Sequence, residues 1–465
     1  MTGAPGTAAL IDPTRPITVH VVGIGGAGMS AIATALAAMG HRVTGSDLKA
    51  SGVTDRLRRN GIVVAIGHSG ANVGAADLVA ISSAVGPGNI EVAEAKRRGI
   101  AVVARSEALA AIASLRRCIA VAGTHGKTTT ASMLALLLVE AGIHPSFLIG
   151  GEVNEIGTNA VWDGGEWLVV EADESDGTFL ALVPDIAVIT NVEPDHLDHY
   201  GSFAAVRSAF DEFARGARHR RVVGGDDPEA ARIGRAAGAD LVGTTPECTY
   251  RMVDLDLARS SVSFGLTGPT GDELGRLAVP VPGLHNAKNA ALATVAALAA
   301  GVPFAAAARA LARFAGVARR FEFRGTANGV TFVDDYAHLP SEVRAALAAA
   351  RNGDWRRVVA VFQPHRYSRT AALWIEFGQA FNDADVVVVT DVYGAGEPPV
   401  PGVSGQLVAD AVRRSSPEIP VTYVSGRADL RRTVGDLLEA GDLCCTLGAG
   451  DLTSLPDELM SDPGW

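Results

Sequence analysis

Lysine is scarce in this chain, occurring only at Lys49, Lys96, Lys127 and Lys288, and one of the four sits in Val121-Ala122-Gly123-Thr124-His125-Gly126-Lys127-Thr128-Thr129-Thr130. Gly123 and Gly126 let backbone N–H groups close on phosphate oxygens, Lys127 reaches β- and γ-phosphates as a compact point charge, and the Thr128 hydroxyl suits Mg²⁺. The longer form of this pattern has a glycine at position 121, where the chain has Val121, so the shorter G-x-x-G-K-T remains. Thr124, His125 and Thr129 belong to the same candidate cradle. Two acidic clusters follow very apolar runs: Glu171-Ala172-Asp173-Glu174-Ser175-Asp176 and Glu193-Pro194-Asp195-His196-Leu197-Asp198-His199. Carboxylates in such places offer the oxygen ligands that Mg²⁺ requires. Asn286 and Asn289 are spaced to face one side of a helix start, where they could read an adenine edge or serve as an N-cap.

Strand-turn-helix units must position these groups. Ile119 to Val121 reads as a buried strand ahead of the cradle, and Met133 to Val139 as the helix behind it. An earlier unit has the same logic: a strand Ile17 to Val22, the turn Gly23-Ile24-Gly25-Gly26-Ala27-Gly28, a helix Met29 to Met39 and a strand Arg42 to Gly45 ending in Ser46-Asp47. That layout suits a nucleotide diphosphate at a helix N-terminus, making Gly25, Gly26, Ala27, Gly28, Met29, Ser30 and Asp47 candidate contacts. Strands at Val63 to Ile66, Leu78 to Ile81 and Ala101 to Ala104 come next, and the loops at their carboxyl ends put His68, Ser82, Ser83 and Arg105 at the same crevice. Arg116-Arg117 reads as the junction to the cradle domain. Beyond Gly325 the pattern restarts, with strands Val330 to Val333, Val358 to Phe362, Val386 to Thr390, Val421 to Val424 and Leu443 to Leu447. Polar loops Asp334-Asp335-Tyr336-Ala337-His338 and Gln363-Pro364-His365-Arg366-Tyr367-Ser368-Arg369 stand at strand ends, where a substrate would bind.

Composition bounds the reading. A chain of 465 residues exceeds one core, so two or three domains are expected. A net charge of -11 argues against a nucleic-acid partner. Cys118, Cys248, Cys444 and Cys445 lack C-x-x-C spacing, which points to a reducing compartment and away from a cysteine metal site. The first fifteen residues have no basic or apolar signal region and read as a frayed tail. The most apolar stretch, Ala290 to Ala308, is interrupted by Gly301-Val302-Pro303 and reads as two helices rather than a membrane span.

Together GTHGKTTT, EADESD with NVEPDHLDH, and DDYAH with QPHRYSRT resemble the ATP-dependent Mur ligases of peptidoglycan synthesis, from Ile17 to about Thr453. The resemblance implies an α/β protein of three domains: an N-terminal Rossmann-like module for a UDP-sugar (1–116), a central P-loop ATPase with a mostly parallel sheet (117–322), and a C-terminal Rossmann-like module for an amino acid (323–465). Within the family, GIGGAGMSA, DDYAH-x-P and QPHR are similar to the branch that adds L-alanine to UDP-N-acetylmuramate; the alternative is a related branch such as the murein tripeptide recycling ligase. The implied cofactors are ATP and Mg²⁺, two ions, with Mn²⁺ able to substitute. Motif positions imply Thr128 and Glu171 on one metal ion and His196 on a second, Asn286, Asn289 and Arg320 at adenine and phosphates, and Asp335 at the ribose. They also imply Tyr336, His338, Arg366 and Arg369 at the two carboxylates. Lys127, Glu171, His196, His338, Arg366 and Arg369 are the expected catalytic set. Two departures stand out: Leu339 follows His338 where relatives have a second histidine, and no lysine lies between Lys127 and Lys288 to form the carbamylated metal partner of some relatives. A cytoplasmic monomer or homodimer without membrane or nucleic-acid partners is expected.

Overall fold

Five short strands near the N-terminus, β1 (Thr18–Val22), β2 (Arg42–Asp47), β3 (Val63–Ile66), β4 (Leu78–Ile81) and β5 (Ala101–Ala104), pair in the order β3-β2-β1-β4-β5, every pair parallel. The structure, a computed structural model, describes residues 11–82, 84–86 and 88–462. A parallel sheet covered on both faces needs strands that are apolar throughout, and Val19, Val21 and Val22 are accordingly fully buried. The chain reverses direction across the sheet between β1 and β4, which opens a crevice at the carboxyl ends of those strands. Helix Ala27–Ala38, starting four residues beyond Gly23, presents its N-terminus there.

The central sheet has ten strands: β6 (Arg117–Ala122), β7 (Ser146–Val153), β8 (Thr158–Val161), β9 (Trp167–Glu171), β10 (Ile186–Ile189), β11 (Arg220–Gly224), β12 (Asp240–Gly243), β13 (Tyr250–Leu257), β14 (Val262–Thr267) and β15 (Glu273–Val279). Their order is β15-β14-β13-β12-β11-β10-β6-β9-β7-β8. Only β8 of the β6 to β11 group runs antiparallel to its neighbour. Because β10, β6 and β9 are adjacent and parallel, the loops that leave them emerge side by side. The glycine turn after β6 therefore lies between the two acidic loops. Helix Lys127–Glu140 behind that turn buries ten residues between Thr129 and Leu138, so it is a core helix with no solvent face for most of its length.

The first two sheets share one apolar cluster, running from Val19 and Leu36 to Ala120, Phe179 and Phe213, and they form one compact unit that reaches to Val253 and includes residues 265–277 and 288–312. The three-domain reading of the sequence corresponds to three sheets. Residues 254–264, 278–287 and 313 onward make a second unit. Its six strands, β16 (Glu322–Ala327), β17 (Val330–Asp335), β18 (Val358–Phe362), β19 (Val386–Thr390), β20 (Val421–Val424) and β21 (Leu443–Leu447), are ordered β16-β17-β21-β18-β19-β20, with only the β16 edge antiparallel. Phe362 packs on Phe377 and Phe381 with ring centroids 4.9 and 5.4 Å apart, anchoring the sheet to the helices beneath it. All four cysteines are free thiols.

Candidate active site

The cradle turn is held open by its neighbours rather than by itself. Gly126 has φ +77° and Gly123 φ +132°, values that side chains disfavour, and a Cβ on them would stand 2.5 Å from Asn289 Oδ1 and 2.0 Å from Thr190 Oγ1. Thr190 Oγ1 and Asn191 Nδ2 donate to His125 O at 2.5 and 3.1 Å, while His125 N donates to Asn191 Oδ1 at 2.8 Å. Glu193 N donates to Thr124 Oγ1 at 2.9 Å. The end of β10 thus shapes the turn from one side, and helix Leu284–Ala299 meets it through Asn289.

Lys127 is fully engaged. Its ammonium donates to Gly123 O at 2.7 Å, Thr124 O at 3.3 Å and Glu174 Oε1 at 2.9 Å. Burial would lower the lysine's pKa, but Glu174, Asp173 and Glu171 outweigh it and hold the ammonium above its ordinary value. Burial pushes Glu174 up to about 7, with Lys127 opposing and Asp173 adding repulsion, and its Oε2 is buried without a hydrogen-bond partner. Thr128 Oγ1 donates to Glu171 Oε1 at 2.9 Å, and Gly150 N donates to Glu171 Oε2 at 2.6 Å. His196, at φ +54°, lies with Nε2 3.3 Å from Asp195 Oδ2 and 3.7 Å from Glu174 Oε1. Lys127, Thr128, Glu171, His196 and Asn289 are thus one cluster. Its hydroxyl and carboxylate oxygens are hard donors that fit Mg²⁺, an ion that takes few protein ligands and fills its shell with water and phosphate oxygens. Among the described residues no group of three or more His, Cys, Asp or Glu forms a metal cage.

At the N-terminal crevice Gly25 N donates to Asp47 Oδ2 at 2.9 Å, tying the glycine turn to the end of β2. Gly26 caps the helix, and Ala27 and Gly28 are its first residues. Ser30 is buried, its N–H bonded to Gly26 O and its hydroxyl to Ala27 O, and Met29 is buried beside it. His68 Nδ1 lies 3.1 Å from Ser46 Oγ and 3.2 Å from Glu91 Oε2. Ser82 lies against Gly23 at the end of β4, and Ser83 falls outside the described residues. Arg105 pairs with Asp173 and Asp176 of the first acidic loop.

The remaining expected residues lie in or beside the second unit. Asn286 is inside helix Leu284–Ala299, as Asn289 is, so neither is an N-cap; its amide donates to Pro282 O at 2.7 Å. Asp335 is buried, accepting from Phe321 N and Ala337 N at 2.8 Å each, and burial raises it to about 6 against the pull of Arg320. The Arg320 guanidinium stands over the Tyr336 ring at 5.1 Å. His338 Nδ1 is 3.0 Å from Tyr336 O and 3.1 Å from Glu342 Oε2. Arg366 adopts φ +67° at the start of helix Tyr367–Leu373. Arg369 Nη1 donates to His365 Nδ1 at 3.1 Å, and the His365 ring stacks on Tyr393 at 5.8 Å.

Two residues of these clusters lie inside the motifs without standing out in sequence. Glu174 holds Lys127, a contact that depends on β9 lying beside β6. His365 is held neutral, its pKa lowered to about 3 by burial and then by the charges of His338, Arg369 and Arg366, so Nδ1 can accept from Arg369. His365 precedes the helix and bridges to Tyr393, so no local spacing in the sequence marks the pair.

Residues 18–117 match the Mur ligase family, catalytic domain; residues 121–297 match the Mur ligase middle domain; and residues 319–450 match the Mur ligase, glutamate ligase domain. The chain is 44% identical over 451 residues to the UDP-N-acetylmuramate--L-alanine ligase of Anaeromyxobacter sp. (strain Fw109-5), covering 96% of this chain and 98% of that one. It is 44% identical over 449 residues to the protein of the same name from Pelotomaculum thermopropionicum, covering 95% and 96%. The crystal structure of UDP-N-acetylmuramate-alanine ligase MurC from Thermotoga maritima superposes with a TM-score of 0.82 at 29% identity, over 95% of this chain and 98% of that one. A murein peptide ligase from Psychrobacter arcticus 273-4 is similar in fold, with a TM-score of 0.70 at 24% identity over 96% and 98%.

Proposed function

The chain belongs to the Mur ligase family, and from that footing we propose that it joins L-alanine to the lactoyl carboxylate of UDP-N-acetylmuramate, with ATP converted to ADP and phosphate, in the making of peptidoglycan precursors. The observation that carries this reading is 44% identity across nearly the full length of relatives named for that reaction. The murein tripeptide alternative has weaker likenesses behind it, to murein peptide ligases at 24% identity over 96% of this chain and 28% over 64% of it.

A carboxylate is a poor electrophile until one of its oxygens becomes a leaving group. The lactoyl oxygen attacks the γ-phosphorus, the bridging oxygen departs with ADP, and the alanine nitrogen then attacks the acyl carbon while the carbon–oxygen bond to phosphate breaks. The proton lost from nitrogen goes to solvent or phosphate. Charge builds on phosphoryl oxygens in the first step, so catalysis rests on cations fixed beforehand. Lys127 supplies one once its bond to Glu174 is exchanged for a phosphate oxygen. Thr128 and Glu171 would hold Mg²⁺, and His196 a second ion; Mn²⁺ fits the same donors. Bound there, the metal would neutralise phosphate charge. Asn289 supports the cradle from its rim, and Asn286 and Arg320 would serve adenine and phosphates, with Asp335 at the ribose. Arg366 and Arg369 would receive carboxylates, and His338 would orient the alanine amine. We assign the N-terminal glycine turn, with Asp47, His68, Ser82 and Ser83, to the UDP group.

Among the described residues no helix is long and apolar enough to cross a membrane. We place the activity in the cytoplasm, where the free cysteines persist as thiols.

Phosphate release measured with ATP, UDP-N-acetylmuramate and L-alanine should require all three, and Lys127→Ala should lower kcat by ~10²–10³-fold, as for removal of one preorganised charge-stabilising donor. Release that ignores either co-substrate, or that survives the substitution, contradicts the assignment.

A further inference from the structure

Arg105 touches two places that the reaction has to coordinate. It opens helix Arg105–Ala113 at the end of β5, and its guanidinium crosses to the loop that leaves β9, where Nη2 donates to Asp176 Oδ2 at 2.8 Å and to Asp173 Oδ2 at 3.2 Å. On its other side it lies over the N-terminal glycine turn: a Cβ on Gly28 would meet Arg105 Nη1 at 3.1 Å. The side chain is only 18% exposed, and its Nε–H is buried with no acceptor. A guanidinium presents five N–H donors in a planar fork that fits carboxylates and phosphates alike. A phosphate oxygen at the turn would supply the acceptor that Nε–H lacks.

The loop on the other side matters because Glu174, the residue next to Asp173 in the chain, is the carboxylate that holds Lys127. The loop is braced within itself, with Ser175 bonded to Asp173 and Thr178 N bonded to Asp176, and from outside it Tyr200 Oη donates to Glu174 O at 2.7 Å. Asp173 and Asp176 thus share one short braced loop with Glu174, and Arg105 is a cation that ties that loop to the N-terminal sheet through both aspartates. Burial works against the Arg105 charge, but Asp173 and Asp176 hold its pKa above the ordinary arginine value.

We propose that Arg105 is a positioning residue that couples the diphosphate turn to the ATP cradle. A diphosphate over Gly25 to Gly28 draws the guanidinium from Asp173 and Asp176, the loop carrying Glu174 relaxes, and Lys127 becomes free to meet the γ-phosphate. This rests on the assignment of the two turns made above. Coupling of this kind is reciprocal, so each nucleotide tightens the binding of the other.

The probe for the turn is UDP alone, which carries the diphosphate without the lactoyl acid that would approach the γ-phosphate. The dissociation constant of a non-hydrolysable ATP analogue with Mg²⁺ is measured by calorimetry on the full chain, with and without saturating UDP. In the wild type UDP should tighten the analogue about 5-fold or more, within the usual range of coupling between sites. In Asp173→Asn/Asp176→Asn the factor should fall to near 1, which the mere loss of two negative charges beside the cradle would not produce, since that raises analogue affinity with and without UDP alike. Arg105→Lys, which keeps the charge and loses the fork, should also diminish the factor. A wild-type factor near 1, a weakening by UDP, or an equal factor in wild type and variants overturns the coupling. If phosphate release still requires both UDP-N-acetylmuramate and L-alanine, only the coupling has failed; if UDP does not bind and release loses that requirement, the functional assignment has failed with it.

Discussion

Glu91 is a carboxylate with no solvent exposure, and its replacement by glutamine should weaken the N-terminal domain in a pH-dependent way. Oε1 accepts from Ser69 N at 3.1 Å and Asn72 Nδ2 at 2.6 Å, and Oε2 accepts from Ser46 Oγ at 2.5 Å with His68 Nδ1 at 3.2 Å and His20 Nε2 at 3.6 Å. Burial alone would raise its pKa, but the nearby His20 ring and donation from Ser46, Asn72 and Ser69 outweigh that and bring it from 4.5 down to about 2. A depressed carboxylate contributes stability that is fully present above the unfolded value and is lost as pH falls toward the folded one. The difference corresponds to about 3 kcal/mol at pH 7 and about 2 kcal/mol at pH 3.5, to order of magnitude. Glu91→Gln keeps the volume but places an NH₂ against donors, and the two Oε1 partners are N–H groups that cannot reverse. The amide must turn toward Ser46 and the histidines, which removes the charge and at least one acceptor. Because a multi-domain chain does not unfold in one step, the assay is hydrogen exchange of β1 and β2 amides rather than a global melt. The variant should lose about 3 kcal/mol of protection at pH 7, and the gap from wild type should narrow by about 1 kcal/mol at pH 3.5. His20 and His68 are the titratable neighbours and are present in both proteins. A gap that is below about 1 kcal/mol at pH 7, or that does not change with pH, refutes the argument.

The other expectations concern the two candidate clusters. Gly126→Ala meets a left-handed backbone and a Cβ 2.5 Å from Asn289 Oδ1, so nucleotide affinity should fall while the sheet stays folded; titration of the ATP analogue followed by circular dichroism separates the two. Thr128→Val removes the hydroxyl that donates to Glu171, and the Mg²⁺ concentration for half-maximal phosphate release should rise about tenfold, with an unchanged Mg²⁺ curve counting against the metal assignment. His365→Phe keeps the stack on Tyr393 and loses the acceptor for Arg369, so KM for L-alanine should rise about tenfold, the size of one lost charge-assisted hydrogen bond, with KM for ATP unmoved.

How far the sequence reaches depends on how local each cause is. Val63–Ile66, Leu78–Ile81, Ala101–Ala104, Val358–Phe362, Val386–Thr390, Val421–Val424 and Leu443–Leu447 form strands with the same bounds that their apolar runs suggest; the central ones, such as Val358–Phe362 and Leu443–Leu447, are buried on both faces and have little choice but to be apolar throughout, whereas Val63 and Ile66 of an edge strand stay exposed. The antiparallel β7–β8 pair was not legible, and neither were β12 to β15, since β13 alternates weakly and is half exposed. The cradle helix begins six residues earlier than its apolar stretch suggests. Three threonines in its first turn obscure it, and what starts the helix is the left-handed Gly126 cap, fixed from outside by Asn289. Asn289 was expected at a nucleotide site and was not legible as the support of this glycine. Its spacing from Asn286 suggested a shared direction or a cap, whereas Asn286 bonds back to Pro282.

Glu174 shows most sharply where local reading ends. Within its own segment it is one acid among several in a loop after an apolar strand. The sheet order β10-β6-β9 places that loop beside the cradle, and burial then changes what the residue can do. Four carboxylates, Glu171, Asp173, Glu174 and Asp176, surround two cations, Lys127 and Arg105. An acidic surplus of this kind keeps the lysine charged and occupied, and it draws a divalent cation more readily than a bare triphosphate, whose own charge it repels. On the proposed assignment the nucleotide is therefore best received together with its metal, and the lysine would pass from Glu174 to a phosphate oxygen within one enclosed network. That exchange avoids ever leaving a buried ammonium without an anionic partner, a state far costlier than either of the paired arrangements.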